Sequence, residues 1–344
     1  MRKVVISRPG GHERLQLEEG PDPAPQSGEV AVAVEAAGVN YADCIIRMGW
    51  YESAEEYVGW PITPGFEVAG TVCALGEGVD GPPVGTRVLA VTRFGGYASR
   101  VSVPRHQVFA LPEQLDTAAG AGFPTVFLTA YYALFEAAHP RPGSRLLVHS
   151  AAGGVGGALV QLGRIAEAEV VGVVGAAHKV ETARRLGAHE VIDKSGEDLW
   201  AAAERHARGG GYDVVLDGNG VATLKQSYRH LAPTGRLVTY GFHSMFPRRG
   251  GRANVARLAL DYLRTPRFHP VRMANENKSV LAFNLSYLFR KQDLLTEAMG
   301  RLFAWLSEGK IQPPPLTRYP VERVADAHRD LESGQTVGKL VLTF

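Results

Sequence analysis

The chain has 344 residues, 45% of them hydrophobic and 21% charged, with a formal net charge of +2. That length suits two domains, and so small a charge argues against a nucleic-acid or anionic-membrane partner. Two cysteines, Cys44 and Cys73, cannot build a disulfide framework and fit a reducing cytoplasm. The opening MRKVVISRPGG lacks the apolar core of a signal peptide, and no apolar run reaches the roughly 18 residues of a membrane helix, so no membrane insertion is expected.

Up to about residue 120 the pattern predicts a mostly β domain. KVVIS, EVAVAVEAAGV and EVAGTVCALGEGV run apolar or alternate between Gly and Pro clusters, and PDPAPQSGE and VDGPPVGTRV read as turns. The rhythm changes at 123. TVFLTAYYALFEAA (125–138) is a long apolar helical stretch. RLLVHS, EVVGVVG, EVID, DVVLDG and RLVTYG then alternate with helical patterns, the mark of right-handed βαβ units and a doubly wound parallel sheet. A basic, loop-like segment follows (FPRRGGRANVARL…TPRFHP, 246–270), within which Arg248–Arg252 reads as a solvated loop. SVLAFNLSYLF (279–289) predicts one more strand, DLLTEAMGRLFAWLSEG an amphipathic helix ending at Gly309, and GKLVLTF a final strand. Pattern alone does not say whether the C-terminal part rejoins the first domain.

The segment VHSAAGGVGGALVQLGR (148–164) joins a strand to a helix through a glycine-rich turn. Ala151, Ala152, Gly153, Gly154, Val155 and Gly156 follow the dinucleotide fingerprint G-x-G-x-x-G with its first glycine replaced. Gly154 and Gly156 serve close backbone approach and helix packing, and the first position needs only a small side chain if its backbone angles are ordinary. The helix start offers free N–H groups and a partial positive charge to a pyrophosphate. NAD enzymes place an acid after the second strand, to bind the ribose 2′-hydroxyl. Here that place holds Gly175, Ala176 and Ala177, with Lys179 following and Lys194 after the third strand. A missing carboxylate and nearby lysines favour a 2′-phosphate, hence NADPH. Lys179 also reads as an ordinary solvated lysine at a helix start.

Gly143–Arg164 resembles the quinone oxidoreductase/zeta-crystallin signature of the medium-chain dehydrogenase/reductase superfamily, in which Ala-Ala-Gly-Gly-Val-Gly is the normal loop; Ser144 departs from it before the strand. AAGVNYADCIIRMGWY (36–51) matches the family's G-x-N-x-x-D segment and PITPGFEVAGTVCALGEGV (61–79) its P-x-x-P-G-x-E-x-x-G-x-V. FLTAYYALF, LDGNG, TYG and VGKLVLTF match too. ENKSVLAFNLSYLF is most similar to the branch containing the vesicle amine transport protein homologue. The resemblance implies a Rossmann domain at 123–290, inserted into a mostly β, GroES-like catalytic domain made of 1–122 plus 291–344. It further implies a homodimer formed through the last strand of the cofactor sheet, near Val280–Tyr287.

Zinc members of the superfamily need a thiolate, an imidazole and a further ligand. At the matching places this chain has Asn40 and Phe66, and two cysteines cannot supply a structural zinc lobe, so no metal is expected. Without a metal a simple alcohol is hard to oxidise, whereas hydride addition to a quinone or enone leaves a delocalised anion. The expected activity is therefore NADPH-dependent reduction of quinones or related conjugated carbonyls. An enoyl (acyl thioester) reductase and a non-catalytic NADPH-binding protein are the alternatives.

The resemblance puts Asn40 beside nicotinamide and substrate, although a loop-fixing asparagine fits as well, and Asp43 reads as an N-cap. Tyr51 reads as a pocket tyrosine or proton donor, or as a packed surface residue. Thr129 and Lys339 correspond to family residues near the cofactor, against an ordinary helical threonine and a surface lysine. Asn219 and Gly220 follow the fourth strand and Tyr240 and Gly241 the fifth, where loops face a dinucleotide; Phe283 and Asn284 extend toward the nicotinamide end. Trp50, Tyr51, Tyr57 and Trp60 either roof a pocket or fill a local core. His149, His178 and His243 show no metal spacing.

Overall fold

The structure, a computed structural model, describes residues 1–248 and 251–344. Arg249 and Gly250 of the basic stretch lie outside the described residues. In chain order the strands are β1 (Arg2–Val5), β2 (Gln16–Glu19), β3 (Glu29–Val39), β4 (Glu67–Leu75), β5 (Arg87–Val91), β6 (Arg100–Pro104), β7 (Val108–Ala110) and β8 (Arg145–His149). They continue as β9 (Glu169–Val174), β10 (Glu190–Asp193), β11 (Tyr212–Asp217), β12 (Leu231–Thr239), β13 (Ser279–Ala282), β14 (Leu316–Pro320) and β15 (Lys339–Thr343). The helices are α1 (Tyr41–Met48), α2 (Glu52–Tyr57), α3 (Thr117–Ala121), α4 (Pro124–Tyr131), α5 (Gly154–Ile165), α6 (Val180–Leu186) and α7 (Leu199–Ala207). After them come α8 (Leu224–Arg229), α9 (Val255–Arg264), α10 (Pro270–Glu276), α11 (Leu285–Leu288), α12 (Gln292–Ser307) and α13 (Val324–Ser333).

The chain forms two compact units. One comprises Met1–Val126, Arg248–Ala253 and Ser286–Phe344; the other comprises Phe127–Pro247 and Asn254–Leu285. In the first unit the sheet runs β14-β15-β3-β4-β5-β7, with β6 also on β3, and β1-β2 form a separate pair. β3 explains why its sequence is apolar almost throughout. It bonds β4, β6 and β15, so little of it meets solvent. The C-terminal strand β15 pairs antiparallel with β3, Leu340 opposite Val39, so the end of the chain does rejoin the N-terminal β structure. Val4, Val32, Val68, Ala90 and Leu342 belong to the core this sheet closes.

The second unit is a parallel sheet of order β10-β9-β8-β11-β12-β13, the doubly wound arrangement with its reversal beside β8. Its inner strands β8, β9 and β11 are buried on both faces, which is why they read as Val- and Leu-rich runs, whereas the edge strands β10 and β13 are partly exposed. Asp198 caps α7 by accepting from Trp200 N and Ala201 N. The stretch predicted as one strand over 279–289 does not stay extended. Its partner β12 ends at Thr239, opposite Ala282, and with no strand left to pair the chain turns into α11.

Candidate active site

In the second unit, the C-terminal ends of β8, β11 and β12 carry the loops that sequence singles out. Ser150 takes the left-handed conformation, with φ of 56°, while Ala151 keeps an ordinary backbone and donates its N–H to Val173 O at 2.9 Å. The reversal a first glycine would make is thus made one residue earlier. Gly156 is required by close approach: a Cβ there would lie 2.1 Å from Ser150 O. Gly153 precedes α5 and no side chain caps it, so the first-turn N–H groups of Gly154, Val155 and Gly156 are free for an anion. Ala151 and Ala152 are buried beneath the turn.

Asp217, at the end of β11, organises the next loop. It accepts from Asn219 N, Gly220 N and the Thr223 hydroxyl, and on its other oxygen from Ser227. His149 joins this network through Ser227 at 3.1 Å. Burial holds its imidazole below the usual pKa against the opposing pull of Asp217, so it is a buried neutral group. Asn219 then meets the glycine turn: its Oδ1 accepts from the Ser150 hydroxyl at 3.3 Å, while its Nδ2 is buried with no partner. An orphaned buried donor beside a ring of free N–H groups fits a ligand rich in oxygen acceptors. Gly220 has φ of 84°, and Ser244 N bonds Asn219 O, tying this loop to the one after β12. Tyr240 lies across Gly218, its hydroxyl held above the ordinary phenol pKa by burial, with Phe283 at 6.3 Å and Gly241 following. Phe283 also packs on Tyr132, and Asn284 is half-buried beside it.

At the ends of β9 and β10, Gly175 and Lys194 are neighbours: a Cβ on Gly175 would be 3.5 Å from Lys194 Cε. Lys194 is exposed, whereas Lys179 is buried in the turn before α6 and so is no solvated lysine. Thr129 is buried on α4.

The first unit holds a second assembly. Lys339 is 3% exposed and Glu67 fully buried, and their charges meet at 2.6 Å. Lys339 Nζ also donates to Asn40 Oδ1, and Asn40 Nδ2 donates to Glu67 Oε1 at 3.1 Å, closing a triangle. The other Glu67 oxygen accepts from Thr125 N at 2.8 Å at the start of α4. Gly38 makes room for it, since a Cβ there would lie 2.4 Å from Glu67 Oε1. Lys339 is therefore not a surface lysine, and Asn40 is neither free nor merely a loop anchor. Sequence reasoning passed over Glu67. Its signal was an acid opening the apolar strand EVAGTV.

Asn40 also precedes α1, and Asp43 is that helix's third residue, not its N-cap. The Asp43 carboxylate reaches back to Asn40 N at 2.8 Å and accepts from Gly65 N and the Tyr97 hydroxyl. Burial pushes its pKa up to about 7 against those donated bonds and Lys339. Tyr51 stands in an aromatic corner with Phe66 at 5.9 Å and Phe94 at 6.5 Å, where Phe66 offers no ligand atom. Tyr57 takes the Arg93 guanidinium over its ring at 4.2 Å, Trp60 packs on the core and Trp50 is exposed, so these four aromatics form no single roof. Cys44, His328 and Glu332 do bring metal-type atoms within 4.8 Å of one another. Glu332 there binds the buried Arg47 guanidinium at 2.7 Å, so a cation already neutralises it.

An open parallel sheet with a glycine turn at its reversal, in a chain whose β unit is closed by its own last strand, defines the fold class of two-domain dehydrogenase/reductases. Comparisons agree. Residues 26–113 match the model described as alcohol dehydrogenase GroES-like domain, and 186–342 the one described as zinc-binding dehydrogenase. The human synaptic vesicle membrane protein VAT-1 homolog is 33% identical over 344 residues, 99% of this chain and 86% of that protein. The Escherichia coli quinone oxidoreductase, solved in complex with NADPH, superposes with a TM-score of 0.86 at 27% identity, covering 100% of both chains. The CurK enoyl reductase does so with 0.86 at 26% identity, over 99% of this chain and 98% of that one. The chain belongs to the medium-chain dehydrogenase/reductase family of oxidoreductases, on the branch that holds the VAT-1 homologues and the quinone oxidoreductases.

Proposed function

We propose that the protein is a zinc-independent, NADPH-dependent reductase of quinones or related conjugated carbonyls. The observation that carries this reading is the unpaired, buried amide nitrogen (Nδ2) of Asn219 beside the uncapped start of α5. The E. coli quinone oxidoreductase bound to NADPH, alike over its full length, supports it. The free N–H groups of Gly154, Val155 and Gly156 would hold the pyrophosphate, with Gly153 keeping the turn tight, Asn219, Gly220, Tyr240 and Gly241 would line the dinucleotide, and Phe283 and Asn284 would approach its nicotinamide end. Thr129 on α4 takes part, and Ala152 keeps the turn small. Gly175 leaves space for a ribose phosphate that Lys194 and Lys179 neutralise. Lys194→Ala narrows the gap between NADPH and NADH affinity; an unchanged gap means the phosphate lies elsewhere.

Bound NADPH would supply the hydride, for which the β-carbon of an enone or the ring of a quinone is the acceptor. The acceptor's oxygen then gains negative charge. Asn40 Nδ2 has one N–H beyond the bond to Glu67, and Lys339 Nζ one beyond its two bonds, so this pair offers pre-oriented donors to that oxygen. Tyr51, with Phe66 and Phe94, presents an aromatic wall to a flat acceptor and a hydroxyl to return the proton. The working chain comprises a catalytic domain of 1–122 plus 291–344 and a cofactor domain of 123–290. It acts in the cytoplasm as a homodimer paired through β13, the edge strand of its sheet.

Likeness to the CurK enoyl reductase favours a second reading, reduction of acyl thioesters. One assay separates the two. NADPH oxidation is followed with a panel of quinones and free enones and, in parallel, with enoyl thioesters. Turnover confined to quinones and enones supports the first reading and turnover of thioesters alone the second. NADPH binding without oxidation of either makes the protein a binder only.

A further inference from the structure

A guanidinium drawn into a fold ordinarily meets a carboxylate or a backbone carbonyl. Among the described residues every other buried or half-buried arginine has such a partner, as Arg47 and Arg145 have in Glu332 and Glu169, and Arg105 and Arg236 in backbone carbonyls. Arg93 has none. It lies half-buried in the connection from β5 to β6, its guanidinium 4.2 Å over the Tyr57 ring and 5.6 Å from that of Phe289. It makes no ion pair or hydrogen bond with the described residues, and its Nε is buried. The hydroxyl of the same Tyr57 is also buried without a partner. Stacking on a ring attracts the cation yet leaves its N–H edge unused. The charges nearby are already balanced: Arg290, 5.7 Å from the Tyr57 ring, faces Glu56 at 3.9 Å. Two unused donors on touching side chains, with one positive charge left over, fit an oxyanion.

Arg93 is tied to the aromatic wall of the proposed site. Phe94, the next residue, packs on Tyr51 and Phe66, and α2 carries Tyr51 before its first turn and Tyr57 at its end. At about 1.5 Å of rise per residue these tyrosines stand roughly 9 Å apart along the helix. We propose that Arg93 and the Tyr57 hydroxyl form a subsite for a carboxylate carried by the substrate, so that the preferred acceptor is a conjugated carbonyl with an acid group at the far end of its chain. The planar fork of the guanidinium receives a carboxylate in two parallel bonds. The subsite deepens the conjugated-carbonyl reading and rests on it for the reacting end of the substrate. An anion held away from the reacting carbons is bound alike before and during hydride transfer, so its effect falls on KM and not on kcat.

The test uses the full chain with NADPH and a series of straight-chain enones of increasing length ending in a carboxylate, each beside its methyl ester. At the fitting length the acid is expected to have a kcat/KM about tenfold or more above its ester, carried by KM. Arg93→Gln brings that ratio close to one, and Tyr57→Phe, which keeps the ring under the guanidinium, lowers it part of the way. Melting temperatures check that both variants are folded; if Arg93→Gln is not, Tyr57→Phe carries the comparison. Turnover with no preference for the acid at any length, or a preference that both variants retain, overturns the subsite and leaves the conjugated-carbonyl reading standing. If neither acids nor esters oxidise NADPH, that reading fails, and calorimetry with the corresponding saturated acids decides the subsite alone. Binding that the variants lose supports it, and no binding by the wild type overturns it.

Discussion

Glu67 shows how one buried charge fixes several neighbours. It neutralises Lys339, orients the Asn40 amide and caps the start of α4 through Thr125 N. Removing one partner of a buried ion pair leaves the other uncompensated, at a cost of about 3–5 kcal/mol. Glu67→Gln is therefore expected to lower the unfolding free energy by that order in a denaturant titration. Adding Lys339→Met is expected to recover most of the loss, because neither charge is then stranded. A Glu67→Gln chain as stable as the wild type contradicts the ion-pair reading. Asp43 makes a separate prediction about pH. Its folded-state pKa of about 7 lies above the 3.8 of a free carboxyl, so the stability it contributes is full below about pH 4 and is lost as pH rises through about 7. Asp43→Asn is expected to flatten the fall in melting temperature between about pH 5 and 8; an unaltered slope contradicts this. At this scale the sequence exposed Asn40 and Lys339 separately and hid what joins them. Residues 40, 67 and 339 meet only because β3, β4 and β15 lie side by side.

At the scale of elements, the alternation of Val-rich strands with helical stretches made the parallel sheet legible, because strands buried on both faces have no polar side to obscure them. The 279–289 stretch misled for the same reason: apolar residues continue past Ala282, but pairing stops where β12 stops. Ala151 in place of the first glycine was readable as tolerable. That Ser150 would carry the left-handed turn was not, since a serine gives no such signal. The turn predicts the effect of Gly156→Ala. A methyl group 2.1 Å from Ser150 O forces the start of α5 away from the strand end, so the variant is expected to lose the NADPH-dependent rise in melting temperature. If it keeps that rise at wild-type NADPH concentrations, the helix start is not the anion site.

For the whole molecule, sequence pattern left the C-terminal segment unplaced, and β15 on β3 supplies the answer: antiparallel pairing across some 300 residues that no local signal announces. Net charge was the weaker guide. A value of +2 says nothing about where the arginines gather, and the basic, apolar α9 was read from its sequence as loop. The functional claim, hydride delivery from NADPH to a conjugated carbonyl by side chains alone, is tested most directly by isotope transfer. The enzyme is treated with a chelator and supplied with an enone and NADPH deuterated on either face of nicotinamide C4. The account predicts one deuterium at the product's β-carbon from one of the two labelled forms, at a rate the chelator leaves unchanged. Product without label from either form, or turnover that stops with the chelator and returns with added zinc, contradicts it.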